Sequence, residues 1–296
     1  MRYLFLCIFT LLVIMCSAWF SAAFAAPETN VAEFSVGKAT VWAIADSAGE
    51  RDMSVFPDAG PDVISQYVPS GKCPSAIMVF LVKTGKETIL IDTGLGVKLS
   101  GLGEGLKRIG VKGEDITLIL ITHMHGDHIG GLVQDGEKAF PSARVLSARI
   151  ENEFWLDEKS IELFPNRKAG FEMARDIFKL YGSASETFEY GSEVAPGIKA
   201  IDARGHTPGH TAFLLESEGE KMLFWADLVH AAALQFPRPD ICAQYDMNPE
   251  ESVAVRIRFM EMAAAEKLPV AGMHLPFPGI GMVEKNPSGG FLYKSR

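Results

Sequence analysis

The sequence contains little cysteine, which limits how far covalent cross-links can contribute to the fold. Four cysteines occur in 296 residues, and two of them, Cys7 and Cys16, lie within the first 26 positions. The other two, Cys73 and Cys242, could form one disulfide bond in an oxidising compartment or remain two separate buried thiols. Their wide separation in the sequence leaves both alternatives open.

Basic side chains are also scarce relative to acidic ones. The chain carries 28 lysines and arginines against 37 aspartates and glutamates, a formal net charge of −9. Such a balance argues against a nucleic-acid backbone or an anionic membrane surface as the partner. We therefore expect a small-molecule substrate, no nucleic acid and no membrane partner for the mature chain, and a homodimer stays open.

A long apolar run occurs at the N-terminus, where residues 3–20 are nearly all apolar. Arg2 precedes this run, and the small-x-small tripeptide of residues 23–25 follows it. This arrangement is typical of a secretory signal peptide and predicts removal of residues 1–26 and export to the periplasm or the medium. An uncleaved membrane anchor is the alternative. Residues 27–296 are then long enough for a single large α/β domain with a full core.

Short apolar segments alternating with amphipathic ones predict an α/β protein. Residues 46–74, rich in glycine, proline, aspartate and serine, predict a long loop with one helical turn near residues 63–67. The predicted strands are 34–44, 76–82, 88–91, 116–121, 144–147, 198–203, 211–216, 221–226 and 269–273, and the predicted helices are 102–109, 148–155, 171–180 and 250–266.

Two segments repeat one pattern. Residues 76–94 and residues 211–228 each consist of a strand, a glycine-containing turn, a second strand and an aspartate. Asp92 and Asp227 stand at corresponding ends of the two units. The repeat predicts two similar halves whose strand ends meet at a common edge.

The residues best suited to chemistry follow the short buried strand at 116–121. His123, His125, Asp127 and His128 place four good metal ligands within six positions. Alternation along an extended chain puts His123 and His125 on the same side, where both imidazoles can face one ion. A polar loop with chance histidines is the alternative, but further histidines occur in turn-like settings that could complete a site, at His206, His210, His230 and His274.

This His-x-His-x-Asp-His motif, followed in order by distant His, Asp and His residues, resembles the signature of the metallo-β-lactamase superfamily. Together with the internal repeat, the resemblance implies an αβ/βα sandwich of two mixed β-sheets flanked by helices. It also implies two divalent metal ions per chain, with zinc preferred and manganese, cobalt or iron as alternatives. The implied metal ligands are His123, His125, Asp127, His128, His210, Asp227 and His274.

The resemblance assigns these ligands to two ions. The first ion takes His123, His125 and His210, the second takes Asp127, His128 and His274, and Asp227 bridges them. His206 is expected to be a turn or supporting residue, because only His210 matches the ligand position and the intervening Pro-Gly excludes a helical pair. Asp92 could accept the second N–H of a ligand imidazole or could cap a turn. Histidines and aspartates already complete the set, so neither Cys73 nor Cys242 is assigned to it.

Residues 154–156, 225–228, 231–236 and 274–281 resemble the secreted branch that contains methyl parathion hydrolase and its lactonase and aryl-esterase relatives. This resemblance implies a pocket lined by Trp155, Phe236 and Tyr245, although Trp155 and Phe236 could equally be core residues. It further implies attack by metal-bound hydroxide on small neutral lactones or aryl esters, with organophosphate triesters as a related class. Asp127 would orient the nucleophile.

His230 lies three residues after Asp227 and has two possible roles. It could donate a hydrogen bond to the leaving oxygen or the developing oxyanion, or it could simply fill the pocket wall. The competing functions are hydrolysis of β-lactams, hydrolysis of thioesters and metal binding on an inactive scaffold. A complete ligand set disfavours the inactive scaffold, and the absence of a basic C-terminal segment disfavours a glutathione thioester.

Overall fold

The computed structural model describes residues 30–85, 87–96 and 100–296. The predicted signal peptide, residues 1–26, lies outside this part, and so does Lys86 of the predicted hairpin turn. Within the described part, no helix has the length and apolar character that crossing a bilayer requires.

The elements follow one another in mixed order along the chain. The strands are β1 Val31–Val36, β2 Ala39–Asp52, β3 Lys72–Thr84, β4 Glu87–Ile91, β5 Leu118–Leu120, β6 Val133–Gln134, β7 Glu137–Lys138, β8 Arg144–Ala148, β9 Ser185–Phe188, β10 Glu193–Ala195, β11 Ile198–Asp202, β12 Thr211–Ser217, β13 Glu220–Ala226, β14 Val270–Gly272, β15 Ile280–Lys285 and β16 Phe291–Ser295. The α-helices are α1 Pro61–Tyr67, α2 Gly101–Arg108, α3 Gly126–Ile129, α4 Arg149–Leu156, α5 Glu158–Leu163, α6 Lys168–Tyr181, α7 Ala232–Gln235 and α8 Pro249–Glu266.

Two mixed sheets form the body of the protein. The first has the order β1-β2-β3-β4-β5-β8-β9, and the second has the order β10-β11-β12-β13-β14-β15-β16. In the first sheet β3 pairs antiparallel with β4, which pairs parallel with β5. In the second, β12, β13 and β14 repeat that arrangement. The predicted sandwich and the predicted repeat are therefore both present, with Asp92 after β4 and Asp227 after β13.

Strand β5 shows how the layers are packed. Leu118 and Leu120 point into the core between the two sheets, whereas Ile119 and Ile121 pack on the opposite face with the outer helices. This alternation buries the strand on both faces, as the apolar run predicts. Each such side chain stabilises the fold by roughly 1.5–3 kcal/mol. The loop that follows β5 therefore starts from a rigid position.

The predicted long loop over residues 46–74 is confirmed in its middle, where residues 53–71 contain the expected helical turn as α1, and is wrong at its two ends. Strand β2 continues to Asp52 and β3 begins at Lys72, so Arg51 lies opposite Cys73 in a long antiparallel arm. Pairing between the two strands outweighs the weak strand propensity of this composition. Only the arm's tip is irregular, and there α1 packs with the segment around Leu234.

Other expectations need smaller corrections. The predicted strand at residues 34–44 is two strands joined by a turn at Gly37, whose φ of 54° suits glycine. Strands β15 and β16 complete one side of the second sheet and were not predicted. In the described part of the chain Cys73 and Cys242 are buried free thiols, which decides against a disulfide bond between them.

Candidate metal centre

One edge of the sandwich gathers the predicted site residues from both sheets. The loop after β5 supplies the His-x-His-x-Asp-His motif, and the ends of β4 and β13 supply Asp92 and Asp227. Asp92 and Ala226, the residue before Asp227, both have positive φ, 59° and 49°. These strained turns end the two equivalent strands and aim both carboxylates at the same region. His274 follows β14, and His206 and His210 come from the loop between β11 and β12.

The first ligand group consists of His123, His125, His206 and Asp227, whose ligand atoms converge. His125 Nδ1 lies 3.0 Å from His123 Nε2 and 3.0 Å from His206 Nε2. Asp227 Oδ2 lies 3.7 Å from His123 Nε2 and 3.4 Å from His206 Nε2. These four atoms form a compact shell with three nitrogens and one carboxylate oxygen.

The second group consists of Asp127, His128 and His274, and it also faces Asp227. Asp127 Oδ2 lies 3.4 Å from His274 Nε2, and Asp127 Oδ1 lies 3.8 Å from His128 Nε2. Asp227 Oδ2 lies 3.0 Å from His274 Nε2, while its Oδ1 lies 3.3 Å from His128 Nε2. The carboxylate of Asp227 therefore belongs to both groups.

These spacings fit a transition-metal site. A tetrahedral zinc ion bound at about 2.0–2.1 Å separates neighbouring ligand atoms by roughly 3.3 Å. The distances between ligand atoms given above for the first group run from 3.0 to 3.7 Å. Imidazole and carboxylate are ligands that suit zinc. Each of the two groups could hold one divalent ion.

Hydrogen bonds to the far side of the rings orient the imidazoles. His128 Nδ1 lies 2.7 Å from Asp92 Oδ2, and His274 Nδ1 lies 3.1 Å from the carbonyl oxygen of Ala76. Anchoring Nδ1 in this way leaves Nε2 of His128 and of His274 to face the centre, and it fixes the tautomer and orientation of each ring. Asp92 thus takes the role of partner to a ligand imidazole, one of the two alternatives that the sequence left open.

Burial and neighbouring charges shift the pKa values of the histidines and of Asp227 at the centre. Burial lowers the pKa of His123 and His125 well below the ordinary value, which keeps both rings neutral. Burial alone would raise the pKa of Asp227, but the neighbouring His274, His128 and His123 hold it well below the ordinary value. Burial would also lower the pKa of His128, but the nearby Asp227, Asp92 and Asp127 raise it well above the ordinary value.

The structure corrects the assignment of His210 as a ligand. Its Nδ1 donates to the carbonyl oxygen of Ala203 at 2.8 Å, and its Nε2 accepts the backbone N–H of Asp227 at 3.2 Å. Both ring nitrogens are occupied, so His210 supports the backbone of the bridging residue. His206, expected to be a supporting residue, takes the ligand position instead. The two histidines share one glycine- and proline-containing turn, and sequence spacing could not show which ring faces the centre.

Two of the three predicted pocket residues belong to the core. Phe236 is buried between Trp225 and Tyr293, with ring centroids 5.9 and 4.9 Å away. Trp155 is equally buried, and its ring makes an edge-to-face contact with that of His125 at a centroid distance of 5.5 Å. The expectation that they line a pocket was wrong, because each side chain points into the layer between a sheet and its helices.

Tyr245 lines a cavity, and its role in a substrate pocket stays a prediction. This cavity measures about 330 Å³ and is bounded by the arm residues 47–52 and 75–77, by Val55 and by Tyr245. The ring of Tyr245 lies 5.8 Å from that of His230. The cavity therefore adjoins the metal centre, and its wall carries Arg51 and Ser75 beside the aromatic ring.

His230 lies within the centre itself. Its ring stacks on that of His274 at 5.0 Å, and its Nε2 lies 3.2 Å from Asp227 Oδ2. Burial lowers the pKa of His230 to about 3, so the ring is neutral and its single proton is placed at Nε2 by the facing carboxylate. The side chain of His230 therefore contacts Asp227 directly, a contact that a residue of the pocket wall would not need.

Glu151 on α4 is a site-supporting residue that sequence reasoning missed. Its fully buried carboxylate accepts from the backbone N–H of Met124 and of Gly209, each at 2.8 Å, and from the hydroxyl of Thr207 at 2.8 Å. It therefore ties the loop carrying His123 and His125 to the loop carrying His206. A glutamate in an amphipathic helix ordinarily faces solvent, and nothing in its spacing distinguishes it.

Comparison with known proteins agrees with this geometry. The sequence profile of the metallo-beta-lactamase superfamily matches residues 74–272. An N-acyl homoserine lactonase of Bacillus cereus is 28% identical over 182 residues, 53% of this chain, and the match spans 64% of the length of that relative. Another N-acyl homoserine lactonase, from Bacillus sp., is 27% identical over 51% of this chain and 70% of its own length.

Two solved structures cover much more of the chain. AidC, a dizinc quorum-quenching lactonase in complex with a product, has a TM-score of 0.82 and 27% identity, covering 90% of this chain and 98% of its own. The hydrolase AbOPH of the beta-lactamase superfamily has a TM-score of 0.83 and 29% identity with the same coverage. The likeness therefore includes both sheets and the centre between them.

Proposed function

Because the chain belongs to the metallo-β-lactamase superfamily, we propose that it is a zinc-dependent hydrolase that opens small neutral lactones at a dinuclear centre. The observation that carries this proposal is the position of Asp227. Its two carboxylate oxygens face both ligand groups, Oδ2 toward His206 and Oδ1 toward His128. One carboxylate shared by two groups is the arrangement that a pair of divalent ions needs.

Bound at this centre, the two ions would supply a water molecule acidified toward neutral pH and a Lewis acid that polarises a carbonyl oxygen. The chain itself would hold the substrate in the adjoining cavity and exclude bulk water with the arm. Asp127, whose side chain is partly exposed and lies beside His128 and His274, is suited to orient a nucleophile. His230 holds a proton at Nε2 against Asp227, and donation to a substrate oxygen would need the same N–H to turn from the carboxylate to the substrate.

The cavity favours a lactone with a polar substituent. Trp155 and Phe236 are core residues and do not line the cavity. The cavity wall therefore offers few flat apolar surfaces for an aryl group. The remaining wall includes Arg51, Ser75 and Tyr245, and it can donate hydrogen bonds to an amide carbonyl. A volume of about 330 Å³ is within the range of small-molecule sites. The lactonase relatives act on rings that carry an acylamino group, which supports this substrate class here.

The proposal is tested with purified zinc-loaded protein. We expect N-acyl homoserine lactones to be hydrolysed faster than an unsubstituted lactone ring, followed by aryl esters and phosphotriesters, with β-lactams slowest. Ring opening releases a proton and can be followed by pH-stat titration. Metal-stripped protein, assayed before and after zinc is restored, serves as the control. A preference for β-lactams, or zinc-independent activity, would contradict the proposal.

A further inference from the structure

Two buried residues outside the ligand set form a chain of hydrogen bonds that ends on a ligand. His206 Nδ1 lies 2.8 Å from Asp246 Oδ1. Asp246 Oδ2 in turn accepts from an Nη2–H of Arg256 at 3.1 Å and from the backbone N–H of Ala243 at 3.1 Å. The side chain of Asp246 is 0% exposed and that of Arg256 is 1% exposed. Water therefore does not compete with these contacts.

The direction of these hydrogen bonds determines which ring nitrogen of His206 carries the proton. Arg256 and Ala243 can only donate to Asp246, so the carboxylate remains an acceptor and receives the Nδ1–H of His206. The lone pair of His206 Nε2 is then free and points toward His125 and Asp227, at 3.0 and 3.4 Å. An ionised carboxylate behind an imidazole also makes the ring a stronger metal ligand.

Arg256 connects this series of hydrogen bonds to residues 228–246, the segment that includes Tyr245 of the cavity wall. Its Nε–H donates to the carbonyl oxygen of Leu228, and its Nη1–H groups donate to the carbonyls of Pro239 and Ile241 at 2.8 and 3.0 Å. Leu228 directly follows the bridging Asp227. One guanidinium on helix α8 therefore holds both ends of the segment from residue 228 to residue 246.

A buried ion pair is an expensive way to stabilise a core. Removing two charges from water costs several kcal/mol per ion, and apolar residues of similar size are often at least as stable. Here, however, all the polar groups of the pair have partners, and those partners are a ligand histidine and the backbone beside Asp227. The pair is therefore placed where it can orient the centre.

We propose that Asp246 and Arg256 are positioning residues that orient His206 and set the affinity of the first ligand group for its ion. The inference rests on the metal centre of the proposed function but not on any substrate. The two can therefore fail separately: a protein that binds two ions and hydrolyses no lactone leaves this inference standing.

The test is a cobalt titration of metal-free protein. Visible absorption reports occupancy of each site, and competition with a chelator reports affinity. Asp246→Asn keeps the size of the side chain but removes its charge. We expect it to weaken binding of one of two cobalt ions by about 10–100-fold while the other is retained. Asp240→Asn is the matched control, because Asp240 lies in the same segment and forms its ion pair with Arg238 on the surface.

A double-mutant cycle separates a positioning role from a structural one. If Asp246 acts through His206, Asp246→Asn should have no further effect on cobalt affinity in a His206→Ala background. Unchanged cobalt affinity in Asp246→Asn, or an equal loss with and without His206, would overturn the inference.

A measurement on the unmodified protein covers the case in which Asp246→Asn does not fold. Nitrogen-15 NMR of the histidine rings in the zinc-loaded protein should show His206 with its proton on Nδ1 and none on Nε2. The loss of one ring's signals in His206→Gln would assign it. Protonation of His206 on Nε2 would overturn the inference.

Discussion

The Nε2 of His210 accepts the backbone N–H of Asp227 at a distance of 3.2 Å. The same ring donates through Nδ1 to the carbonyl oxygen of Ala203. His210 thus braces the turn that presents the bridging carboxylate, while His206, four residues earlier, faces the ligand atoms. The two histidines of one motif have separate tasks, one toward the backbone and one toward the centre.

This division of roles can be tested by alanine substitution. We expect His206→Ala to lose about half of the bound metal, because it removes a ligand atom. His210→Ala should keep the metal content but lower the free energy of unfolding by about 1–3 kcal/mol, because a buried N–H and a buried carbonyl lose their partner. Elemental analysis and urea unfolding measure the two effects. Metal loss in His210→Ala with normal content in His206→Ala would restore the sequence-based assignment.

The bridging role of Asp227 predicts the metal stoichiometry. Wild-type protein should contain close to two transition-metal ions per chain, since two ligand groups share this carboxylate. Asp227→Ala should lower both metal content and lactone hydrolysis. Asp176→Ala, which removes an exposed aspartate on α6, is the control. One tightly held ion with full activity would be incompatible with a dinuclear centre.

Glu151 predicts a pH dependence of stability. Burial raises the pKa of this carboxyl from 4.5 to about 7. Between these two values the folded chain keeps a proton that the unfolded chain releases, so the free energy of unfolding falls as the pH rises through this window. Across this window the ionisation of Glu151 lowers the free energy of unfolding by about 3 kcal/mol. Below pH 4.5 both states are protonated and the contribution is fully present.

Urea unfolding of metal-free protein at pH 5, 6 and 7 measures this effect. In Glu151→Gln the fall should be smaller by that amount. The variant is nevertheless less stable, because an amide whose oxygen accepts from Gly209 and Thr207 turns its NH2 group toward the N–H of Met124, which then has no acceptor. Glu153→Gln on the exposed side of the same helix is the matched control. Parallel pH curves for wild type and Glu151→Gln would show that the carboxyl does not titrate in this range.

His230 predicts a kinetic effect. If its Nε2–H reaches the leaving oxygen or the oxyanion, His230→Ala should slow lactone hydrolysis by roughly 10²-fold. Steady-state rates on zinc-loaded protein of equal metal content measure this effect, so that an altered centre is not mistaken for a lost donor. A change of less than about threefold would assign His230 to the structure around Asp227 alone.

Export remains a prediction, because residues 1–26 lie outside the described part of the chain. We expect the mature protein to begin at Ala26 or Pro27 and to be found outside the cytoplasm. Mass spectrometry of the protein purified from the periplasm or medium checks both points. An intact Met1 on membrane-bound protein would favour the anchor instead.

Much of the fold and of the centre could be predicted from the chain alone, because local rules act on them. Strand β5 is apolar on both faces, and the ligands that follow it lie close together in the sequence, so neither depends on distant contacts. The predicted superfamily and the predicted sandwich are confirmed. The repeat of strand, turn, strand and aspartate likewise predicts the positions of Asp92 and Asp227 at the ends of β4 and β13.

Tertiary structure decided what depends on the direction of a side chain. Whether His206 or His210 faces the other candidate ligand atoms is set by the turn between β11 and β12 and by Asp246, 40 residues after His206. Trp155 and Phe236 became core residues because helix packing, rather than their aromatic character, fixed where they point. The arm formed because β2 and β3 pair across a span that looked like a loop. The sequence by itself therefore determined which residues could bind metal, and long-range packing determined which of them face it.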